Sequence, residues 1–186
     1  KFIQNKSIKI NIYLIINKKN LGYGGVQKIA FKYAIKNNFE YAVMLHGDGQ
    51  YSPEYISRLI KPLITSRYDA VFGSRMMHSF DALKGGMPMY KYLGNIILTS
   101  FQNLILSSNM SEFHSGYRSY KVSSLKKVKF KGNTNYFHFD TEIIIQFLKC
   151  KFIIKEIPIP THYGDEVSHL KSIPYGVNII LSTLLS

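Results

Sequence analysis

The chain has 186 residues, 46% of them hydrophobic, which suffices for one packed core but is short for two. Its 24 lysines and arginines outnumber 11 acidic residues, and the formal net charge of +13 favours anionic partners: nucleotide diphosphates, lipid phosphates, an anionic membrane surface or nucleic acid. The basic residues are scattered without a consecutive block, which argues against a nucleic-acid-binding tail and is equally consistent with a general compositional bias.

The chain has one cysteine and no long apolar run. Cys150 alone excludes an intramolecular disulfide and a cysteine-based zinc site, and we expect it to be a small core residue in a reducing compartment. No stretch reaches the ~18 apolar residues of a spanning helix, and the first residues lack a signal-peptide cleavage site. The first residue is Lys1 and the last is Ser186 within an apolar pattern, so we expect a longer protein.

Hydrophobic periodicity predicts strands and helices in alternation. Ser52 is the expected N-cap of one helix, with Pro53 at its first position. In chain order we expect a strand at 8–16, a helix at 26–34, a strand at 41–45, a helix at 52–64, a strand at 69–73, helices at 89–106 and 138–150, and a strand at 152–157. This order indicates an α/β fold with a mainly parallel sheet, whose ligands bind beyond the carboxyl ends of the strands.

A polar cluster directly follows the predicted strand at 41–45. It comprises His46, Gly47, Asp48, Gly49 and Gln50. A carboxylate, an imidazole and an amide at alternating positions can all face one divalent cation, with Asp48 as the main ligand. An ordinary Asp-Gly turn at a strand end is the alternative interpretation.

A series of short motifs resembles glycosyltransferase family 2, and within it the dolichol-phosphate mannose synthase group. The motifs lie at 20–25 (NLGYGG), 46–54 (HGDGQYSPE), 73–75 (GSR), 115–118 (SGYR), 156–158 (EIP) and 163–168 (YGDEVS). Their order and spacing match the family across most of the chain, and a series in register is far more specific than any one motif.

The resemblance implies a GT-A fold that binds a nucleotide-sugar diphosphate through Mg²⁺ or Mn²⁺ at an Asp-x-Asp motif. His46 stands at the first Asp of that motif, followed by Gly47, while Asp48 and Gln50 keep the second Asp and the amide. We therefore expect His46, Asp48 and Gln50 to hold the metal. Because histidine brings no negative charge, Mn²⁺ should be favoured over Mg²⁺.

Two arginines and one glutamate extend the site implied by the resemblance. Arg75 is expected near the donor or acceptor phosphates, because a guanidinium suits phosphate oxygens; a surface ion pair is the alternative. Arg118 is expected either to contact the nucleotide sugar or to clamp its own turn. Glu112 occupies the place of a family Asp near the reacting centre, where it would orient the acceptor or take its proton.

The segment at 162–169 resembles a loop that folds over the donor diphosphate in the family. His162 and His169 stand at its basic ends and are expected to contact the nucleotide sugar, although a plain surface loop is the alternative. Upstream family motifs that hold the base and ribose do not occur in this sequence. The expected domain over residues 1–186 is therefore the C-terminal portion of a GT-A domain, incomplete at its N-terminus.

These features predict an inverting hexosyltransferase that uses a nucleotide-diphosphate sugar and a polyprenyl phosphate at the cytosolic membrane face, with peripheral membrane contact. Catalysis would depend on Asp48, Glu112 and Arg75. Transfer to a non-lipid glycan is one alternative. A non-catalytic remnant is another, motivated by His46 and the absent upstream motifs.

Overall fold

The computed structural model describes residues 11–78, 80–160, 163 and 172–186. The described elements are α1 (Tyr23–Lys36), β1 (Tyr41–Met44), a 3₁₀ turn (Pro53–Tyr55), α2 (Ile56–Thr65), β2 (Ala70–Ser74), α3 (Asp81–Lys84), α4 (Met89–Leu106), β3 (Arg118–Lys121), α5 (Val122–Leu125), a 3₁₀ turn (Phe130–Gly132), α6 (Phe139–Lys149), β4 (Ile154–Pro158) and α7 (Ser172–Leu184).

Most predicted elements are confirmed. The helices expected at 26–34, 52–64, 89–106 and 138–150 are α1, α2, α4 and α6, and the strands expected at 41–45, 69–73 and 152–157 are β1, β2 and β4. Ser52 does precede the turn that leads into α2, but its hydroxyl donates to the Glu54 carboxylate instead of capping the helix. Pro53 starts that turn as expected.

The strand predicted at 8–16 is wrong over its described part, because residues 11–16 have no regular structure. Residues 8–10 lie outside the described part of the chain. Ile12, Leu14 and Ile16 are largely exposed. Alternating apolar residues form a strand only where a neighbour supplies the ladder hydrogen bonds, and none of the described strands pairs with this segment.

The four described strands form one mixed sheet in the order β1-β3-β2-β4. β3 runs antiparallel to both β1 and β2, whereas β2 and β4 are parallel. The α/β class is confirmed, but the expectation of a mainly parallel sheet is corrected for these strands. The sequence argument missed β3, because Arg118 to Lys121 (RSYK) holds a single aromatic residue among polar ones and has no apolar run.

The sheet carries a hydrophobic cluster on each face. Ala70 and Phe72 point to the face covered by α1 and α6, where they meet Phe113, Tyr120 and other buried residues. Val71, between them in sequence, packs on the opposite face against α2. This alternation is the period-2 pattern of a strand buried on both sides.

Arg118, at the start of β3, is a buried cation, because only 1% of the residue is exposed. Its Nε donates to the Ser115 carbonyl (2.7 Å), Nη2 to the Phe113 carbonyl (2.8 Å) and Nη1 to the Asp140 carbonyl (3.0 Å). Nη1 also lies 3.6 Å from Asp140 Oδ1. Arg118 thus joins the segment before β3 to the start of α6. A structural clamp was one of the two roles that the sequence left open for this residue.

Two expectations concerned cysteine and membrane spans. Cys150 is exposed and directly follows the last residue of α6, Lys149, so its assignment to the core is wrong. Among the helices of the described part, none has both the length and the apolar character to cross a bilayer.

Replacing Arg118 by Met should destabilise the fold by about 3–5 kcal/mol, because Asp140 and three carbonyls would stay buried without their cation. Urea denaturation of the full-length protein measures this loss. Arg67→Met, at an exposed arginine, is the matched control and should cost less than about 0.5 kcal/mol. Equal losses in the two variants would show that Arg118 is no clamp.

Candidate active site

The sheet register brings three chain segments to one edge. Met44 at the end of β1 pairs with Arg118 at the start of β3, and Phe72 of β2 pairs with the same Arg118. Because β3 is antiparallel to both neighbours, its beginning lies where β1 and β2 end. The segments 45–53, 74–76 and 111–117 therefore meet beside this edge.

The His46 ring packs directly on the backbone of the third segment. A Cβ at Gly116 would lie 2.3 Å from His46 Cε1, so only glycine admits the ring in this position. Tyr51 contacts His46 edge-on, and its hydroxyl accepts the Gly116 N–H at 3.2 Å. These residues border an open cleft of about 650 Å³, which is lined by Leu45, His46, Gly47, Gly49, Gln50, Tyr51, Ser52, Pro53 and Pro160.

His46 and Asp48 present a nitrogen and an oxygen donor to the same space. His46 Nδ1 lies 3.9 Å from Asp48 Oδ2, and the side chains are 26% and 43% exposed. This separation is within two metal–ligand bonds of ~2.1 Å each, so the pair fits one divalent ion that takes further ligands from a diphosphate. The Gln50 N–H donates to Asp48 Oδ1 (3.1 Å) and orients the carboxylate.

Within the described part of the chain, the protein groups alone do not build a closed metal cage. Over the described ranges, no three or more His, Cys, Asp or Glu side chains gather as a metal site. A pair of protein donors suits Mg²⁺ or Mn²⁺ bound with a phosphate ligand, since such ions are held by few carboxylates plus substrate oxygens.

A chain of hydrogen bonds leads from His46 into the core. The Tyr23 hydroxyl lies 3.2 Å from His46 Nε2 and donates to Asp140 Oδ2 at 2.7 Å. Gln27 Nε2 donates to the other oxygen of Asp140 at 3.0 Å. Burial and the neighbouring Asp140 charge raise the pKa of Tyr23 well above its ordinary value, so the phenol keeps its proton.

Arg75 and Glu112 form a second, buried pair at this edge. The Arg75 guanidinium donates to Glu112 Oε1, with the Nε bond at 2.8 Å, and the Arg75 backbone N–H donates to Oε2 at 2.8 Å. Asn95 of α4 adds a bond from Nδ2 to Oε1 (2.7 Å). Burial raises the pKa of Glu112. Arg75 and Asn95 together lower this pKa by more than burial raises it, so the net shift is downward.

Two further residues accept hydrogen bonds from the Arg75 guanidinium. Arg75 Nη1 donates to the Tyr163 hydroxyl (2.7 Å), and Nη2 donates to the His114 carbonyl (3.2 Å). Burial lowers the pKa of His114 to about 4, so this imidazole is neutral at physiological pH. Its Nδ1 lies 3.0 Å from the Tyr175 hydroxyl of α7.

Glu156 of β4 holds the segment that carries Glu112. Its carboxylate accepts the Ser111 N–H (2.7 Å), the Ser111 hydroxyl (2.7 Å) and the Glu112 N–H (3.1 Å). Burial raises the pKa of Glu156, and these donors partly offset that rise. The Glu-Ile-Pro motif noted in the sequence therefore has a structural role in placing Glu112.

The predicted site residues fall into separate groups. His46, Gly47, Asp48 and Gln50 lie together at the cleft. Arg75 and Glu112 form their own pair at the same edge, whereas Arg118 is enclosed in the core with protein partners for its guanidinium. His162 and His169 lie outside the described residues.

Sequence reasoning missed the side chains that support these groups. Tyr23, Asn95 and Asp140 lie on helices α1, α4 and α6, far apart in sequence, and each bonds a predicted site residue or its partner. Polar residues at the core-facing positions of these helices were the available signal, since buried polar groups need a partner. Asn95 and Asp140 are both of this kind, at 7% and 6% exposure.

Two archaeal proteins are similar to this chain over most of its length. An uncharacterized protein of Methanocaldococcus jannaschii is 33% identical over 168 residues, covering 87% of this chain and 69% of that protein. The UDP-N-acetylglucosamine–dolichyl-phosphate N-acetylglucosaminyltransferase of Methanococcus voltae is 28% identical over 170 residues, covering 91% and 65%. The chain spans about two thirds of the length of the curated relatives it matches.

Among solved structures, glucosyl-3-phosphoglycerate synthase from Mycobacterium tuberculosis, in complex with Mn²⁺, uridine diphosphate and phosphoglyceric acid, is similar with a TM-score of 0.63. At 11% identity it covers 91% of this chain and 55% of that one, which confirms the GT-A type of α/β fold. The model of glycosyl transferase family 2 matches residues 2–129. With more than half of its length matched, the chain belongs to glycosyl transferase family 2.

Proposed function

We propose that this protein is an inverting hexosyltransferase that moves a sugar from a nucleotide diphosphate to a polyprenyl phosphate. The observation that carries the proposal is the His46–Asp48 donor pair, 3.9 Å apart, whose histidine lines an open cleft. Family membership supports sugar transfer, and the Methanococcus voltae relative is named for a dolichyl-phosphate acceptor. Residues 1–186 would supply the C-terminal portion of one GT-A domain.

The donor diphosphate would bind at His46, Asp48 and Gln50, with Gly47 leaving room for its oxygens. His46 Nδ1 and Asp48 Oδ2 are the atoms that would hold Mn²⁺ or Mg²⁺, and the Mn²⁺ of the solved neighbour supports this assignment. When bound, such an ion neutralises the charge that develops on the departing diphosphate. The nitrogen donor favours Mn²⁺.

Arg75 and Glu112 would shape the side of the site where the acceptor reacts. The Glu112 carboxylate already accepts bonds from the Arg75 side chain, the Arg75 backbone and Asn95, and its side chain is fully buried. This arrangement supports a role for Glu112 in fixing Arg75 more than one in proton abstraction. A phosphate acceptor is already anionic and needs no strong base, which agrees with that role.

Contact with a membrane surface is the finer part of the proposal. Helices α4 and α7 pack together and expose apolar side chains, which include Tyr90, Leu93, Ile97 and Leu104 of α4 and Ile173, Val177, Leu181 and Leu184 of α7. An apolar surface of this kind on a basic protein suits the cytosolic face of an anionic membrane, where polyprenyl phosphates present their head groups.

Replacing Asp48 by Asn should reduce Mn²⁺-dependent binding of UDP by at least ~10-fold, because the anionic metal ligand is lost. Titration calorimetry with UDP and GDP, with and without Mn²⁺, measures this in the full-length protein. Asp81→Asn, at an exposed acid of α3, makes the same change in charge and should leave binding unchanged. Equal Mn²⁺-dependent affinity in both variants would refute the donor site and favour a non-catalytic remnant.

The acceptor class is tested by following a radiolabelled sugar from the nucleotide donor. With a polyprenyl phosphate in detergent, we expect the label to enter the organic phase, because the product carries the lipid chain. Label that transfers only to a soluble glycan and stays in the aqueous phase would contradict the lipid acceptor and support the alternative transferase.

Replacing Glu112 by Gln should destabilise the protein by about 3–5 kcal/mol at pH 7, because Arg75 would stay buried without its counter-charge. The folded-state pKa of Glu112 lies below its ordinary value, so its contribution is complete above that value and is lost as the pH falls through the folded pKa. The wild-type protein and the variant should therefore converge in unfolding free energy only once the pH has fallen below the folded-state pKa of Glu112.

Urea denaturation at pH 7 and at successively lower pH measures this convergence. Glu40→Gln, at an exposed carboxylate, is the matched control and should differ little from the wild-type protein across this pH range. A stable Glu112→Gln variant that loses only turnover would instead identify Glu112 as the base.

A further inference from the structure

We propose that Tyr23 is a positioning residue that fixes the tautomer of His46 and thereby aims the lone pair of Nδ1 at Asp48. This inference rests on the donor site proposed above and deepens it. It assigns a role to the hydrogen-bond chain from His46, which lines the cleft, through Tyr23 to Asp140, neither of which lines it.

The direction of each hydrogen bond in the chain follows from the donors available. Asp140 Oδ2 only accepts, so the single hydroxyl hydrogen of Tyr23 points to it across 2.7 Å. The Tyr23 oxygen is then left to accept from His46 Nε2 at 3.2 Å. Nε2 therefore carries the hydrogen, and in the neutral imidazole Nδ1 carries the free lone pair.

This tautomer places two electron-rich atoms opposite each other. His46 Nδ1 and Asp48 Oδ2 are separated by 3.9 Å, and a lone pair and a carboxylate repel each other unless a cation lies between them. In the opposite tautomer, Nδ1 would carry the hydrogen and direct it at the Asp48 carboxylate. The two side chains would then attract each other without any cation. By holding the hydrogen on Nε2, Tyr23 keeps the nitrogen donor open.

The rest of the protein holds this chain in place. Asp140 is fixed by Gln27 at 3.0 Å and by the buried Arg118, whose Nη1 lies 3.6 Å from Oδ1. A Cβ at Gly24 would lie 2.5 Å from the Thr134 carbonyl oxygen, so glycine allows the start of α1, with Tyr23, to approach the segment before α6.

The opposite side of the imidazole is equally restricted. Gly116 leaves room for the ring and for no Cβ, and Tyr51 contacts it edge-on with ring centroids 5.6 Å apart. The ring is therefore packed against the backbone before β3 and against Tyr51. Partners of this kind that orient a ligating histidine typically change metal affinity 10–100-fold when removed.

The tautomer is directly measurable by long-range ¹H–¹⁵N NMR on the full-length, metal-free protein labelled at histidine. The chain has six histidines, so the His46 signals are assigned by their loss in His46→Gln. Above about pH 8, where imidazoles are generally neutral, we expect wild-type His46 to be the Nε2–H tautomer. An Nδ1–H tautomer in the wild-type protein would overturn the inference.

Tyr23→Phe removes the hydroxyl and keeps the ring that contacts His46 and Phe137. We expect His46 to become a mixture of tautomers and the affinity for Mn²⁺ in the presence of UDP to fall 10–100-fold. Tyr51→Phe is the matched control, because this tyrosine also contacts His46 but bonds Gly116 instead of the imidazole, and it should leave the tautomer unchanged.

The two measurements separate this inference from the proposed function. An unchanged His46 tautomer in Tyr23→Phe refutes the positioning role, whatever the metal does. Absence of Mn²⁺ binding to the wild-type protein refutes the donor site instead, while the metal-free spectra still decide what Tyr23 does.

Discussion

The structure depends on the placement of β3 between β1 and β2, antiparallel to both. This single arrangement brings the start of β3 to the edge where the other two strands end. The buried guanidinium of Arg118 stabilises it, since it bonds carbonyls of Phe113, Ser115 and Asp140 and so ties the approach to β3 to helix α6. A cation this deep is tolerated because Asp140 and the carbonyls compensate its lost hydration.

The same electrostatic rule governs the second buried pair. Arg75 and Glu112 are each enclosed, and each has the other as its main charge partner, with Asn95 and Glu156 placing the carboxylate and its backbone. Fixed, desolvated charges are expensive to fold, but they do not reorganise when a substrate arrives. The exposed His46–Asp48 pair differs, because it retains donor atoms that face the cleft.

These clusters are connected through the core. Asp140 is the partner of Arg118 and also accepts the hydroxyl of Tyr23, which contacts His46. The residue that compensates the central buried cation thus also sets the orientation of a cleft residue. The buried Asp140 carboxylate therefore contributes both to the stability of the fold and to the geometry of the site. A substitution at Asp140 affects both.

The sequence by itself determined the α/β class, most helices and strands, the family and the segment of the cleft, because hydrophobic periodicity and residue motifs are local properties. It misjudged residues 11–16, whose alternation finds no partner among the described strands, and it missed β3, a buried strand with mostly polar residues. Only the tertiary structure decided that Arg118 is a clamp, that Glu112 is paired with Arg75, and that Tyr23 reaches His46. Those facts depend on contacts between residues distant in sequence, and no local pattern encodes which buried polar groups will meet.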